Sequence, residues 1–202
     1  MSNEIFSALH SHTPLDLSND LKQYACVAII LRGPLHNLEV GYIQRAFNER
    51  DRWSGHIAFP GGKKEDSDFS DLGAALRETF EEVGIDLLPE ENMGRLNDIQ
   101  ARKHGTKLEF FVRPFVFYTE REFQIKTDPS EVAEFFWVPL FELLNPRRQT
   151  VYELRKDQVH IELPAISMDR EMPLWGLTYV MTQNLLEVLK QALVETQSSQ
   201  SF

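Results

Sequence analysis

Apolar runs separated by polar, turn-forming stretches organise the chain from residue 24 onward. Residues 24–32, YACVAIILR, form an unbroken apolar run of strand length, which predicts a buried strand. GPLHN turns the chain, and 38–46, LEVGYIQRA, predicts the hairpin partner. FNERDRWSG reads as a polar loop and HIAFPGG as a short strand entering a tight turn. Residues 70–84 predict a helix, with Ser70 suited to the N-cap and Gly84 to the glycine position that ends a helix. EFFVRPFVFYT (109–119) and AEFFWVPL (133–140) predict two further strands. Pro114 removes a ladder donor from the first, which predicts an edge or bulged position. WGLTYVMTQNLLEVLKQAL (175–193) predicts a long closing helix with one apolar face. Strands, helix, strands, helix is the order of an α+β domain with a mixed sheet and helices packed against it.

The helix over 70–84 carries the candidate chemistry. At ~100° per residue, Leu72, Leu76, Phe80 and Val83 gather on one side, with Ala75 and Thr79 at its margin, as a predicted core stripe. Glu78, Glu81 and Glu82 fall within a fan of roughly 100° on the opposite side. Glu78 and Glu82 lie one turn apart, where like charges repel, and all three sit in the half where the helix dipole disfavours anions. Arg77 alone stands nearby. One reading is a solvated acidic face. The other is a cage for a hard divalent cation, which takes carboxylate oxygens together with substrate phosphates. The FPGG turn just upstream can bring a backbone carbonyl close to the same ion.

The 202 residues are 42% apolar, so the chain can bury a core without covalent staples. Its single cysteine, Cys26, lies inside the first apolar run and reads as a buried strand thiol, compatible with a reducing compartment. Residues 1–20 are polar and irregular in pattern and lack the basic start and apolar stretch of an export signal. No run approaches ~18 uninterrupted apolar residues, so a soluble, cytoplasmic protein without a membrane partner is expected. The predicted organisation is an N-terminal arm (1–20), one domain (21–194) and a flexible tail (195–202). A net charge of −10 disfavours a broad grip on nucleic acid, and none is expected as a partner. It leaves room for a small anionic substrate, because a bound divalent ion and a few arginines reverse the sign locally.

These residues resemble the Nudix box, G-x5-E-x7-R-E-aliphatic-x-E-E-x-G-aliphatic. Gly62 is followed by five residues and Asp68, then by eight residues and RETFEEVGI (77–85). Arg77, Glu78, Glu81, Glu82, Gly84 and Ile85 match; Asp68, the extra residue before Arg77, and Thr79 at the aliphatic position depart. Beyond the box, SGHIAFPGG, AEFFWVPL and WGLTYVMTQNLLEVL are similar to the coenzyme A pyrophosphatase-like branch. Arg45, Ala46, Arg50, Gly55 and Phe59 echo its R-[SA]-x3-R-x3-G-x3-F-P-G-G stretch, with one residue too many between Arg50 and Gly55, and GYI stands where LLT is usual.

The resemblance implies the Nudix fold, a mixed β-sheet sandwiched between helices (α/β/α). It also implies a Mg²⁺- or Mn²⁺-dependent hydrolase that cleaves the pyrophosphate of a nucleoside diphosphate linked to X, giving a nucleoside monophosphate and X-phosphate. ADP-ribose, a nucleotide sugar and a coenzyme A-like molecule are the candidate small-molecule substrates. Glu78 and Glu82 become principal metal ligands, Glu81 a ligand or water-activating neighbour, Gly61 a carbonyl donor to the ion, and Arg77 an orienter of the glutamates. In some members the catalytic base comes from a loop after the box, where KTDPSEVAEFF offers Glu131 and Glu134; Glu131, in the proline-containing loop, is preferred. Arg45, Arg50 and Arg52 precede the box and suit substrate phosphates, or a solvated loop. Trp53, Phe111 and Trp175 read as base-stacking or core aromatics, and His56 as structural. Family members often form dimers, so a homodimer is implied. A non-catalytic nucleotide-binding or regulatory module of the same fold is the alternative. An RNA-processing enzyme is disfavoured by the charge.

Overall fold

In the computed structural model the described residues are 2–48, 53–103, 106–156 and 159–199, with side chains described except at 2–5, 35, 103, 155–156, 159 and 191–199. Alternate residues at 26–31 are buried on opposite faces of a sheet, which is why these six positions are all apolar. Val27, Ile29 and Leu31 join one core, and Cys26, Ala28 and Ile30 the other. Burial pushes the Cys26 thiol up to about 12, so it is held as an inert neutral group.

The elements run α1 (Ser2–Ser11), β1 (Gln23–Arg32), β2 (Glu39–Arg45), β3 (Ile57–Ala58), β4 (Gly61–Lys63), α2 (Asp71–Val83), β5 (Asn92–Arg95), β6 (Ile99–Lys103), β7 (Thr106–Thr119) and β8 (Val132–Pro139). There follow α3 (Leu140–Leu143), β9 (Gln149–Lys156), β10 (Val159–Ile166), β11 (Leu174–Trp175) and α4 (Gly176–Ser199). β1 is parallel to β7 along its whole length, from Gln23↔Phe110 to Arg32↔Thr119. Its other edge is shared. β4 takes Ala25 to Val27, and β2 takes only Leu31 and Arg32. The expected hairpin therefore closes for two residue pairs, while the other edge of β2 pairs with β8 from Glu39 onward and β3 joins at Ile43 and Gln44.

Ala74, Ala75 and Val83 of α2 pack on one face of this sheet. Met181, Leu185, Leu186, Val188 and Leu189 of α4 pack on the other, together with Leu9 of α1. The result is the expected mixed sheet between helices. No helix among the described residues is long and apolar enough to cross a membrane.

The first twenty residues differ from the irregular arm that the sequence suggests. Residues 2–11 are helical, and Phe6 sets its ring 4.5 Å from that of Tyr118. Beyond the helix, Asp16 accepts hydrogen bonds from Arg95 and Arg113, both at 2.8 Å. Arg113, buried on β7, also donates to Asp98 (3.0 and 2.7 Å) and to Asp71 at the start of α2 (2.6 Å). Asp71 further accepts from Tyr24 (2.9 Å) and Lys64 (3.0 Å). A buried guanidinium satisfied on several sides thus clamps the arm, the sheet and α2 together. At the other end, α4 runs to Ser199, into the stretch expected to be a tail.

Pro114 also departs from expectation. β7 is an interior strand, with β1 on one side and β5 and β6 on the other. The carbonyl of Pro114 accepts from Leu96 N–H, so its nitrogen lies on that same edge, in the gap between the β6 register ending at Val112 and the β5 register starting at Phe115. The missing donor falls where no ladder partner exists. The three-stranded sheet β9–β10–β11 lies outside the expected elements. Its alternation, Tyr152-Glu153-Leu154 facing Ile161-Glu162-Leu163, is a period-two signal that pattern reading can find.

Candidate active site

Helix α2 begins and ends as its caps dictate. Ser70 Oγ accepts from Gly73 N–H at 3.0 Å, and Gly84 takes the left-handed conformation (φ 69°) with its N–H on Phe80 C=O. The buried face is rotated from the expected stripe. Ala74, Ala75, Thr79, Glu82 and Val83 are buried, whereas Phe80 is 57% exposed. The two alanines let the helix approach the sheet closely, and a bulky phenylalanine is turned outward. That rotation drives Glu82 (3% exposed) into the protein instead of leaving it on an outer face. Thr79 fills the aliphatic box position by donating its hydroxyl to Ala75 C=O at 2.7 Å, so only its methyl needs an apolar setting.

The glycine turn meets these carboxylates. Gly61 has φ +143°, and a Cβ there would overlap the carbonyl oxygen of Cys26 and Cα of Val27. Its N–H donates to Glu82 Oε2 at 2.8 Å. A Cβ on Gly62 would overlap the carboxylate of Glu78. Gly62 is therefore space for the Glu78 side chain, and Gly61 space for the backbone of β1. The expectation for Gly61 was a carbonyl offered to an ion; the contact seen is through its amide.

Arg77 organises the cluster. Its Nε and Nη2 hold Asp68 at 2.8 and 3.0 Å, Nη1 holds Glu81 at 2.8 Å, and Nη2 lies 3.0 Å from Glu78. Arg77 thus touches two of the glutamates it was expected to orient, and Asp68, the odd residue of the box, is its anchor. The Arg77 hydrogen bonds hold the Asp68 carboxyl down at about 2. Burial raises the Glu82 carboxyl to about 8, reinforced by the charges of Glu78 and Glu131 and opposed by Gly61 N–H and Arg45. Glu78 is raised by burial, and by Glu81 and Glu131, against Arg77.

Glu131 thus stands close enough to act on both inner glutamates. Its carbonyl accepts from Ala46 N–H at 2.8 Å, which sets it beside Arg45 at the end of β2. Glu134 is engaged elsewhere: Arg170 donates to both of its oxygens, at 2.5 and 3.1 Å, and lowers its pKa. Of the two loop carboxylates, the structure brings Glu131 to the cluster. Arg50 and Arg52 lie outside the described residues.

The aromatic candidates separate. Phe111 is fully buried and stacked on Tyr24, so it is core and unable to meet a ligand. Trp175 stacks on Tyr152 at 4.0 Å and meets the ring of His56, which fits a structural His56. Trp53 is exposed, and so is Phe47, an aromatic directly after the Ala46–Glu131 contact that pattern reading passed over. Its signal was an aromatic side chain inside the polar stretch AFNER.

Glu78, Glu81, Glu82 and Glu131 are countered nearby by Arg77 and Arg45. Among the described residues, only Gly61 N–H donates to the buried Glu82 carboxylate. A desolvated carboxylate among like-charged neighbours is a poor structural device, and an oxygen-rich set of this kind fits a hard divalent cation. A separate group, Glu153, His160 and Glu162, is exposed on the β9–β10 hairpin and forms no part of this cluster.

The NUDIX domain family matches residues 22–157. A probable nudix hydrolase of Schizosaccharomyces pombe is 30% identical over 186 residues, 89% of this chain and 61% of that protein. An uncharacterised protein of the same yeast is 41% identical over 54% of this chain and 34% of its own length. The mouse peroxisomal coenzyme A diphosphatase NUDT7 is 29% identical over 75% of this chain and 61% of that protein. The chain therefore spans between a third and two thirds of the length of these curated relatives. Among solved structures, a MutT/nudix family protein from Enterococcus faecalis superposes with a TM-score of 0.56 at 15% identity, covering 89% of this chain and 63% of the other. The NUDIX domain of Shewanella oneidensis NrtR, complexed with ADP ribose, does so at 0.53 and 16%, covering 93% and 97%. By fold, by its glutamate helix and by a family match over most of its length, this chain belongs to the NUDIX family.

Proposed function

We propose that this chain is a divalent-cation-dependent pyrophosphohydrolase acting on a nucleoside diphosphate linked to a second group. The observation that carries this reading is the buried Glu82 carboxylate, held by Gly61 N–H among the charges of Glu78 and Glu131. A site of fixed negative charge beside two guanidiniums suits a cation together with a phosphate chain.

Glu78 and Glu82 would hold the ion, with Glu81 beside them. Bound there, a cation would supply positive charge to the phosphate oxygens and would acidify water. The chain's own residues do the rest. Arg77 fixes Glu78 and Glu81, and Arg45 faces the phosphate oxygens. Glu131 takes a proton from the attacking water on a carboxylate oxygen. The water oxygen bonds to one phosphorus, the bond from that phosphorus to the bridging oxygen breaks, and the second phosphate leaves with the electron pair. A nucleoside monophosphate and the other group's phosphate result.

Two comparisons are compatible with part of the substrate range proposed from the family resemblance. One relative is described as a coenzyme A diphosphatase, and a structural neighbour holds ADP ribose. Coenzyme A-like molecules, ADP-ribose and nucleotide sugars are the substrates we propose. The test is phosphate release across a panel of these compounds, with NADH and dinucleoside polyphosphates, in Mg²⁺ or Mn²⁺ and with a coupled phosphatase. One strong substrate that fails in chelator is expected. Silence with both metals, with nucleotide binding retained, would replace the hydrolase by a non-catalytic binding module.

A further inference from the structure

We propose that Asp128 is the positioning residue that fixes Glu131 relative to Glu82; this rests on the hydrolase reading above. Asp128 lies in the loop TDPSEV that leads into β8. Its N–H donates to the backbone carbonyl of Glu82 at 2.9 Å. Its carbonyl accepts from the N–H groups of Glu131 (3.1 Å) and Val132 (2.8 Å). Its side-chain Oδ1 accepts from both the N–H and the hydroxyl of Ser130, at 2.8 and 2.7 Å. One residue therefore bridges the backbone of the glutamate helix and the backbone of the candidate base.

The physical logic is local. The last carbonyls of a helix have no partner within it, and here the loop supplies one. Asp128 N–H serves Glu82, and Lys126 N–H serves Val83 at 3.0 Å. The loop is thereby docked on the turn of α2 that presents Glu82. A carboxylate accepting from the N–H two residues on is the device that folds such a turn. Pro129 has no N–H, so Ser130 is the first donor available after Asp128. With the turn closed, the Asp128 carbonyl meets residues 131 and 132, and Ala46 N–H holds Glu131 from the other side. The Glu131 backbone is thus set by contacts to α2 and to β2. Neither involves its own side chain, which stays available for proton transfer.

The test compares Asp128→Ala, Asp128→Asn, Glu131→Gln and the double variant Asp128→Ala/Glu131→Gln on the best substrate of the panel. Asp128→Ala is expected to lower kcat by ~10- to 100-fold, the cost of a misplaced reacting group, with KM and cation affinity within about threefold of the parent. Asp128→Asn keeps an oxygen at Oδ1 and is expected to restore kcat to within about threefold. In the Glu131→Gln background, Asp128→Ala is expected to cost nothing further, because its effect passes through Glu131. Parental kcat in Asp128→Ala, an undiminished loss on top of Glu131→Gln, or failure of Asp128→Asn to restore the rate would each overturn the assignment. A general loss of folding would appear as a lowered Tm and raised KM in both Asp128 variants, and would equally count against it. A parent silent across the panel would overturn the hydrolase reading and this one together; an active parent with an unimpaired Asp128→Ala overturns this one alone.

Discussion

The backbone N–H of Gly61 lies 2.8 Å from Oε2 of Glu82, joining the glycine turn of β4 to the buried carboxylate of α2. This contact needs a residue without a Cβ at a φ of +143°. Gly61→Ala is therefore expected to destabilise by about 1–3 kcal/mol or more, because strained φ and overlap with the Cys26 carbonyl add. Turnover should fall with it, since Glu82 loses its donor. Urea denaturation and steady-state kinetics on one preparation check both. An unchanged urea midpoint would show that β1 and β4 separate without cost.

Glu82→Gln separates function from folding. The amide oxygen still accepts from Gly61, while the buried negative charge is gone. Turnover is expected to drop by at least ~100-fold, the scale of losing one preorganised charged group. In chelator the variant should be as stable as the parent or more so, because burial that raises the Glu82 carboxyl to about 8 costs the parent stability near and above neutral pH, and a neutral amide carries no such cost. Kinetics and thermal melts in EDTA measure the two effects. A near-normal rate would sink the metal-ligand role of Glu82.

Arg77→Lys tests the organiser. One ammonium cannot hold Asp68, Glu78 and Glu81 in the fork geometry that the guanidinium supplies. The fold should persist, while cation affinity or kcat falls ~10- to 100-fold, as is usual when a supporting partner is lost. Calorimetric titration with Mn²⁺ reads the first and initial rates the second. Parental values for both would mean that the glutamates hold their places unaided.

These residues also mark how far the sequence could be read. The apolar run of β1, the caps at Ser70 and Gly84 and the three box glutamates were all visible, because each is written in consecutive or evenly spaced residues. The rotation of α2 was not. A period of 3.6 defines a face but does not say whether two alanines or one phenylalanine will lie against the sheet, and close packing favoured the alanines. The proline-containing loop favours Glu131 over Glu134, but the ion pair that occupies Glu134 comes from Arg170, distant in sequence, and no local pattern shows it. Asp16, Asp71, Asp98 and Arg113 come from four separate segments, so no spacing rule connects them.

That buried cluster predicts an acid limit to stability. Burial tends to raise Asp71, but hydrogen bonds from Lys64, Tyr24 and Arg113 outweigh it and lower its pKa. Asp16 is held at about 2 by Ser18, helped by Arg113 and Arg95. Carboxyls depressed in the folded state stabilise it fully above their unfolded value of about 4, and that contribution fades as pH falls through the folded values towards 2. Unfolding free energy should therefore decline below about pH 4 through these groups. Arg113→Met should cost about 3–5 kcal/mol at neutral pH, by removing the guanidinium from the buried Asp98 and the part-buried Asp71, and should flatten the acid slope. Urea midpoints at a series of pH values test both; an unchanged acid slope in the variant would contradict the assignment.

The pairing of residues 23–32 with 110–119 also sets an order of events during synthesis. A ten-residue strand, apolar on both faces, leaves the ribosome long before the strand that covers one whole edge of it. Until residue 119 has emerged, the nascent chain holds an unmatched sticky edge, the condition under which contacts distant in sequence slow folding and invite association. The glycine turn takes its register from β1, and α2 takes its seat from both, so the glutamates meet late. A chain interrupted before residue 110 would own every box residue and still lack the sheet that gathers them.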